Sequence, residues 1–373
     1  MTAAAAGLLA LIALPLAAQP QEAGTTARLA PKAGTARLLS FDGGIAWFNS
    51  KPLTPDQLRG KVVLVDFWEY TCVNCLRTLP YEKAWYARYA RDGFVIVGVH
   101  TPEFHFSGEP ANVGAALERL DITWPVVLDS KQAIWDRYGN DVWPRELLYD
   151  RSGRLIADHA GEGDYPEMEQ RIQAALRTGH SGERFPAVMG YLPQDSYAKP
   201  GAVCYPHTQE MYLSAVRDDS ALGNARGYAA GRTMQFEDSA MHLDGRAYLQ
   251  GAWFDAAEAM VSAGRVNSTS PSAPEHVALR YHAIQVVAVL KPQSSAVLVI
   301  VLQDGAPLRR EDAGSDVHYD REGNSLVTVD AAREYDIVMN KHFGQHELEL
   351  RPQHPGLAVY TFDFEACEVG ADR

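Results

Sequence analysis

Hydrophobic and polar residues follow two different patterns along the chain, and the change comes near residue 180. Between about Leu38 and Thr178, continuous apolar runs alternate with stretches of helical periodicity. A continuous apolar run is typical of a strand covered on both faces, whereas apolar positions three and four residues apart indicate a helix packed on one side. The strand-like runs are 61–68, 93–100, 125–129, 146–150 and 154–158, and the helical stretches are 76–91, 110–120 and 165–176. This alternation predicts an α/β domain built on a central sheet.

After Gly179 the sequence is polar and rich in turn residues to about Gly245, and short β-like segments then follow without an intervening helix. Seven such segments are present, at 247–254, 276–291, 295–303, 325–329, 333–340, 346–351 and 357–364. A series of strands separated by turn residues favours an antiparallel sandwich or jelly roll. The pattern therefore predicts an α/β domain at 38–180 and an all-β domain at 181–373.

The first residues have a composition of their own. Residues 3–18 are sixteen apolar residues, followed at once by Gln19 and Pro20. This length suits a signal peptide or N-terminal anchor at 1–18 and a linker at 19–37, which predicts an extracytoplasmic protein of the periplasm or cell envelope. No Lys or Arg precedes the run and Leu16 lies three residues before the cleavage point, so an Ala/Leu-rich buried helix remains an alternative.

Composition and charge exclude several classes of protein. The chain has 373 residues, 46% of them hydrophobic and 22% charged, which suits two domains with real cores and excludes wholesale disorder. A formal net charge of −13 speaks against a nucleic-acid partner. No apolar run reaches the roughly 18 residues of a membrane span, which excludes a polytopic membrane protein.

The most informative motif is Cys72-Val-Asn-Cys75, which follows a predicted strand and opens a predicted helix. This spacing places both sulfurs on one side of the first helical turn, and the helix N-terminus is expected to favour the Cys72 thiolate. A structural zinc site would need further ligands, and covalent haem attachment would need His where Leu76 stands. A redox-active pair is favoured, with a structural disulfide as the main alternative.

The surrounding residues resemble the thioredoxin superfamily, and within it the exported proteins of the TlpA/DipZ type. Asp66-Phe67-Trp68 precedes the cysteines, Pro80 follows them, and the segments 98–104, 142–150 and 161–165 fit the same family. The resemblance covers about 140 residues and extends more loosely to residues 361–364. It implies a central mixed sheet with helices on both faces, followed by a galactose-binding-like or jelly-roll module. The multi-span membrane domain of DipZ has no counterpart, which implies a separate membrane partner for electron transfer.

The resemblance also implies roles for individual residues. Cys72 would be the attacking thiolate, Cys75 the resolving thiol, and Asp66 the buried acid that takes the proton of Cys75. A merely hydrogen-bonded strand-end carboxylate is the alternative for Asp66.

Three further residues are expected near the sulfurs. Pro144 matches the family's cis-proline opposite the active site, which leaves the preceding backbone free to pair with an extended substrate. Trp143 would then border the substrate, or would simply pack on the sheet. Glu103 would assist proton transfer, or would serve only the start of a helix.

The other two cysteines, Cys204 and Cys367, stand near the two ends of the all-β region. The first and last strands of a sandwich often lie side by side, and an oxidising compartment allows disulfides, so a Cys204–Cys367 bridge is expected, with free or intermolecular thiols as the alternative.

These observations predict a thiol–disulfide oxidoreductase that acts on protein thiols and needs no cofactor or metal beyond its cysteine pair. The direction of electron flow is left open. The β domain is expected to bind a partner or an envelope glycan, an expectation that rests on family analogy. The alternatives are an envelope-binding protein with a redox-silent scaffold and, more weakly, a peroxidase.

Overall fold

The computed structural model describes residues 36–178, 184–195, 197–239, 241–264 and 274–369. The predicted signal segment at 1–18 and nearly all of the predicted linker at 19–37 lie outside the described residues, as does the predicted domain boundary at 180. No helix in the described part of the chain is long and apolar enough to cross a membrane.

The first part of the chain forms a six-stranded mixed sheet. Its strand order is β1-β4-β3-β2-β5-β6, with β2, β3 and β4 parallel and the other pairings antiparallel. The strands are β1 Ala46–Phe48, β2 Val62–Trp68, β3 Phe94–His100, β4 Val126–Leu128, β5 Arg145–Tyr149 and β6 Leu155–Ala160. The helices are α1 Val73–Tyr89, α2 Pro110–Arg119, α3 Ala133–Tyr138 and α4 Tyr165–Arg177, with short 3-10 turns at Ala90–Asp92 and His105–Gly108.

The continuous apolar runs arise because both faces of this sheet are covered. On β2, Val62 and Leu64 join a core with residues of α1, α2 and α4, whereas Val63 and Val65 join a second core with residues of α3. Alternate side chains of a strand point to opposite faces, so a two-sided core requires every position to be apolar. The predicted α/β domain with a mixed sheet and helices on both faces is confirmed.

Two elements of this domain were not predicted, namely β1 and α3. The three-residue strand β1 is too short to show a period, and it pairs only with β4 at the sheet edge. The six-residue helix α3 is held by the buried Asp129, whose carboxylate accepts the backbone N–H groups of Ile134 and Trp135 at 3.0 and 2.7 Å. A helix of only six residues is marginal on its own, and this contact at its N-terminus stabilises it.

The second part of the chain is all β within its described residues. Its strands are β7 Ala202–Cys204, β8 Met211–Tyr212, β9 Thr233–Phe236, β10 Arg246–Asp255, β11 Met260–Ser262, β12 His276–Pro292, β13 Val297–Gln303, β14 Ala306–Pro307, β15 Val317–Tyr319, β16 Ser325–Val329, β17 Arg333–Pro352, β18 Leu357–Glu365 and β19 Cys367–Val369. Strand β12 pairs with β10, β10 with β11, β11 with β18, and β18 again with β12, which closes part of the sheet like a barrel.

The two predicted segments 333–340 and 346–351 are in fact one strand, β17. The strand continues through residues 341–345: Gly344 and Gln345 pair with Ala283 and His282 of β12, while residues 340–343 form an irregularity in the ladder. A polar stretch on a solvent-facing strand was interpreted as a turn. The all-β prediction is confirmed.

The two parts pack against each other on the side that carries the cysteine motif. The ring of Tyr360, on β18, lies 5.1 Å from the ring of Phe104 and 4.8 Å from that of Phe106. Val261 and Val289 of the β domain join the same core. Beside this apolar contact, Nη1 of Arg77 on α1 lies 3.1 Å from a carboxylate oxygen of Glu365 on β18. The β domain thus covers the end of β2 and the start of α1.

The expected bridge between the two remaining cysteines is present. Cys204 on β7 and Cys367 on β19 lie directly opposite each other in a two-stranded sheet and form a disulfide with an S–S distance of 2.00 Å. It closes a loop between the two ends of the all-β region.

Candidate active site

Cys72 and Cys75 lie at the N-terminus of α1, where strand β2 has just ended. Cys72 is the N-cap residue, and its Sγ accepts the backbone N–H of Cys75 at 3.2 Å. Both are free thiols, Cys72 partly exposed and Cys75 buried. A partner can therefore reach the first sulfur only, which is the arrangement expected of an attacking and a resolving thiol.

The expectation of a thiolate favoured by the helix N-terminus needs correction. Burial raises the pKa of the Cys72 thiol, and the carboxylates of Glu69 and Glu103 raise it further. Hydrogen bonds from the thiol and backbone N–H of Cys75 act in the opposite direction and do not outweigh burial. Burial also raises the pKa of Cys75 well above its usual value, so this thiol needs a base to remove its proton.

Asp66 is the residue predicted to be that base. It lies on β2, is 2% exposed, and its charge helps to raise the pKa of Cys75. Burial raises the pKa of Asp66 itself to about 7. A carboxylate with a pKa near neutrality can accept and return a proton at physiological pH.

Two further carboxyl groups lie beside Asp66 and were not predicted. Glu146 is its neighbour across the β2–β5 ladder, and Glu82 comes from α1. Both are about 1% exposed, and a hydrogen bond between the side chains of Glu82 and Asp66 raises the pKa of Glu82 and lowers that of Asp66. Burial raises the pKa of each well above its usual value, as does the Asp66 charge. The protein thus holds three protonatable carboxyl groups under the buried sulfur.

These three groups should make the stability of the protein depend on pH. The unfolded chain releases their protons above about pH 4, whereas the folded protein retains them. Their contribution to stability is therefore complete below about pH 4 and is lost as the pH rises through the raised pKa values. We expect the free energy of unfolding to fall by up to about 1.4 kcal/mol per pH unit for each group between pH 5 and 7.

Denaturant unfolding at several pH values measures this slope. The triple variant Asp66→Asn, Glu82→Gln, Glu146→Gln should flatten it, and the exposed-site variant Glu118→Gln should not. An unchanged slope in the triple variant would show that the three carboxyl groups are already ionised in the folded protein.

The predicted proline lies where the motif suggested. The Trp143–Pro144 peptide bond is cis, and Pro144 is buried immediately before β5. Trp143 lines the same pocket as Cys72 and also contacts Trp135, with a ring separation of 4.5 Å. Trp143 therefore packs on the domain and also lines the pocket of Cys72, and its place beside a substrate stays a prediction.

Glu103 also lines this pocket, although it does not cap a helix as one interpretation proposed. Its Oε1 accepts the hydroxyl of Tyr212 at 2.5 Å and lies 2.8 Å from Nη1 of Arg217, both residues of the β domain. Burial raises its pKa, while the hydrogen bond from Tyr212 and the charge of Arg217 oppose that effect. Glu103 thus ties the two domains together beside Cys72.

The pocket itself is a cavity of about 150 Å³ between the two domains. Cys72 and its neighbours form one wall. The other wall belongs entirely to the β domain and consists of Glu210, Tyr212, Val287, Val289, Thr361 and Asp363. No local spacing in the sequence could have predicted these residues, because the domain interface brings them to the sulfur.

Another buried pair lies behind Cys72. Oε1 of Glu69 is 3.6 Å from Nε2 of His100, and both side chains are fully buried. The backbone N–H of Thr71 donates to the same carboxylate at 2.6 Å. Glu69 therefore orders the loop that precedes Cys72. Glu69 was not among the predicted site residues, and its position between Asp66-Phe67-Trp68 and Cys72 is the sequence signal that could have identified it.

Three large aromatic side chains of the β domain belong to its core. Trp253, Tyr281 and Tyr335 are fully buried in the β-domain core. Among the described residues, no group of three or more His, Cys, Asp or Glu side chains is arranged to hold a metal ion.

Comparisons with known proteins match both halves of the chain. Residues 48–176 match the family described as Redoxin, and residues 208–364 match the family described as thioredoxin like C-terminal domain. Over 135 residues the chain is 30% identical to the thiol-disulfide oxidoreductase YkuV of Bacillus subtilis, a match that covers 36% of this chain and 90% of that protein.

A longer match is with the protein DipZ of Mycobacterium tuberculosis, 28% identical over 330 residues. It covers 86% of this chain and 42% of DipZ, so the chain spans less than half the length of that relative. Among solved structures, a putative thiol:disulfide interchange protein DsbE from Chlorobium tepidum is 28% identical, with a TM-score of 0.31, over 33% of this chain and 86% of the other.

Proposed function

The chain belongs to the thioredoxin-like thiol–disulfide oxidoreductases, and we propose that it works outside the cytoplasm, exchanging disulfides with protein partners through Cys72 and Cys75. The observation that carries this proposal is the position of the two thiols. Cys72 opens on the pocket, Cys75 is buried one helical turn behind it, and the Cys75 N–H donates to the Cys72 sulfur at 3.2 Å.

In the proposed reaction, the Cys72 thiolate attacks a sulfur of the partner's disulfide, and the other partner sulfur leaves as a thiolate. Asp66 then takes the proton of Cys75, whose thiolate attacks the Cys72 sulfur and releases the partner in its reduced form. The partner gains two electrons and the cysteine pair is oxidised to a disulfide. Every step is reversible, so the same residues serve an oxidase or a reductase.

The residues around the sulfur have supporting roles in this proposal. The cis peptide before Pro144 leaves the Trp143 backbone beside the pocket, where an extended substrate segment would pair with it. Trp143 and Glu103 border the substrate, and Glu103 raises the pKa of Cys72 while it holds the β domain in place.

The extracytoplasmic location is supported by the Cys204–Cys367 disulfide, because structural disulfides persist in oxidising compartments. The β domain is proposed to be a docking module of jelly-roll or galactose-binding type. A membrane electron-transfer partner and an envelope glycan are proposed partners of the whole protein.

Trapping a mixed disulfide tests the function. In the Cys75→Ser variant, Cys72 can attack a protein disulfide but nothing resolves the product, so a covalent adduct with native, disulfide-bonded insulin should accumulate on a non-reducing gel. The Cys72→Ser, Cys75→Ser double variant is the matched control and should form none. If Cys75→Ser forms no adduct while Cys72 still reacts with iodoacetamide, the protein is a binding protein with a redox-silent scaffold.

Equilibration with glutathione assigns the direction. A potential of the cysteine pair well above about −150 mV would exclude a reductase role.

A further inference from the structure

The pocket over Cys72 is acidic, and part of that charge is not compensated. Glu103, Glu210 and Asp363 line it, and the described lining residues include no Lys, Arg or His. Glu103 is paired with Arg217 at 2.8 Å. Within the described part of the chain, Glu210 and Asp363 form no ion pair. Burial raises the pKa of both carboxyl groups, that of Glu210 to about 8, so the pocket carries its full negative charge only above that pH, and there the charge acts on whatever enters.

A second cation, Arg77, lies in the neighbouring cavity and already pairs with other carboxylates. Arg77 lines the neighbouring cavity, and its Nη1 lies 3.1 Å from carboxylate oxygens of both Glu162 and Glu365. Its charge is therefore balanced first by two carboxylates of its own. It lowers the pKa of Asp363 without forming an ion pair with it, so the pocket over Cys72 stays acidic.

The shape of the pocket also limits what can enter. Its volume of about 150 Å³ lies well below the ~300–1,000 Å³ typical of drug-sized ligands. Val287 and Val289 are each 3% exposed, and they add apolar surface to the wall that carries Glu210 and Asp363. A short methylene chain would pack on the valines while a charged end reaches the carboxylates.

We propose that this site selects disulfides that carry a positive charge a few bonds from the sulfur, and that Glu210 and Asp363 of the β domain supply the selectivity. The inference rests on the proposed function and adds its substrate class. A cation beside the disulfide is attracted by both carboxylates, and an anion at the same place is repelled by both, in a partly desolvated pocket where charges are weakly screened.

The reaction is the exchange already described. The substrate S–S bond breaks as the bond between Cys72 and one substrate sulfur forms, and the other half leaves as a thiolate. Cys75 then displaces the bound half, so one cationic disulfide is reduced to two thiols while the protein dithiol is oxidised. The ammonium group takes no part in the bond changes and acts only in binding.

A charge series of small disulfides tests the proposal on the full, reduced protein. The rate of Cys72 oxidation is measured with cystamine, hydroxyethyl disulfide and dithiodiglycolate, which are cationic, neutral and anionic. Each rate is divided by that of mercaptoethanol with the same reagent, which removes intrinsic reactivity. At pH 8.5 and low salt we expect the normalised cystamine rate to exceed the dithiodiglycolate rate at least tenfold, and the ratio to fall at 0.5 M salt.

Neutral variants locate the source of the selectivity. Asp363→Asn with Glu210→Gln should reduce the cation-to-anion ratio to within about threefold of one. The control Glu118→Gln with Glu322→Gln changes the net charge equally at two exposed sites and should keep the ratio. Disulfide-linked dimers of a short peptide with Lys or Glu beside its cysteine repeat the comparison for a protein segment.

The outcomes separate the two proposals. If only cystamine reacts faster than its anionic counterpart, the substrate is a small cationic disulfide. If the Lys peptide also reacts faster than the Glu peptide, the substrate is a basic segment of a protein. Either result supports the inference. If hydroxyethyl disulfide reacts but no charge preference appears, or if the control variant loses it equally, the inference is wrong and the function stands. If no disulfide oxidises Cys72, the proposed function itself is wrong.

Discussion

Replacing Cys72 with serine is expected to reduce the rate of disulfide exchange by roughly three orders of magnitude or more, to the uncatalysed background. A serine oxygen cannot form the mixed disulfide, and the partly exposed Cys72 is the sulfur that lines the pocket. Cys75 cannot replace it, because it is buried and its pKa is raised well above the usual value. Insulin reduction with dithiothreitol as the electron source measures the loss.

The matched control is Cys75→Ser, which makes the same atomic change one helical turn away. It should also stop turnover, yet still yield one equivalent of covalent adduct at Cys72. Cys72→Ser should unfold at nearly the wild-type denaturant midpoint, whereas Cys75→Ser places a hydroxyl in the apolar core and should remain folded with a lower midpoint. Wild-type turnover in folded Cys72→Ser would contradict the assignment of the attacking thiol.

The second large effect concerns the stability of the β domain. Replacing Cys204 and Cys367 with serine opens a loop that spans a sequence separation of 163 residues. By chain-entropy arithmetic, a crosslink across such a loop stabilises the folded state by about 5 kcal/mol. We expect the unfolding free energy of the double variant to fall by about that amount, with a lower denaturant midpoint for the β-sheet signal.

The comparison is best made in a Cys72→Ser, Cys75→Ser background, so that added reductant changes the Cys204–Cys367 bridge alone. In that background, reduced protein and the quadruple variant should unfold alike, and oxidised protein should unfold at higher denaturant. Coinciding transitions for the oxidised and reduced protein would show that the bridge does not stabilise the domain.

Much of the first domain could be predicted from the sequence, because its physical causes are local. The sheet was predictable from runs such as 61–68, in which a two-sided core requires every residue to be apolar. The position of Cys72 could be predicted because it lies between the end of β2 at Trp68 and the start of α1 at Val73. The cis peptide before Pro144 came from the resemblance and is confirmed by the structure.

What could not be predicted depends on long-range packing. Glu210 and Asp363 lie far from Cys72 in the sequence and reach it only because the β domain docks on the active-site face. The pKa of Cys72 was expected to fall because of the helix N-terminus, whereas burial and the charges of Glu69 and Glu103 raise it. The long strand β17 was divided at polar residues where its ladder with β12 has an irregularity but the strand continues.

Quantitative alkylation in glutathione buffers of increasing potential, read by mass spectrometry, tests most directly whether the two helix-start thiols exchange electrons. The account predicts that Cys72 and Cys75 lose alkylation together in one two-electron transition, within the range that protein partners can reach, while Cys204 and Cys367 stay oxidised throughout. If Cys72 and Cys75 remain alkylated at every potential, or are oxidised independently of each other, the central claim is contradicted.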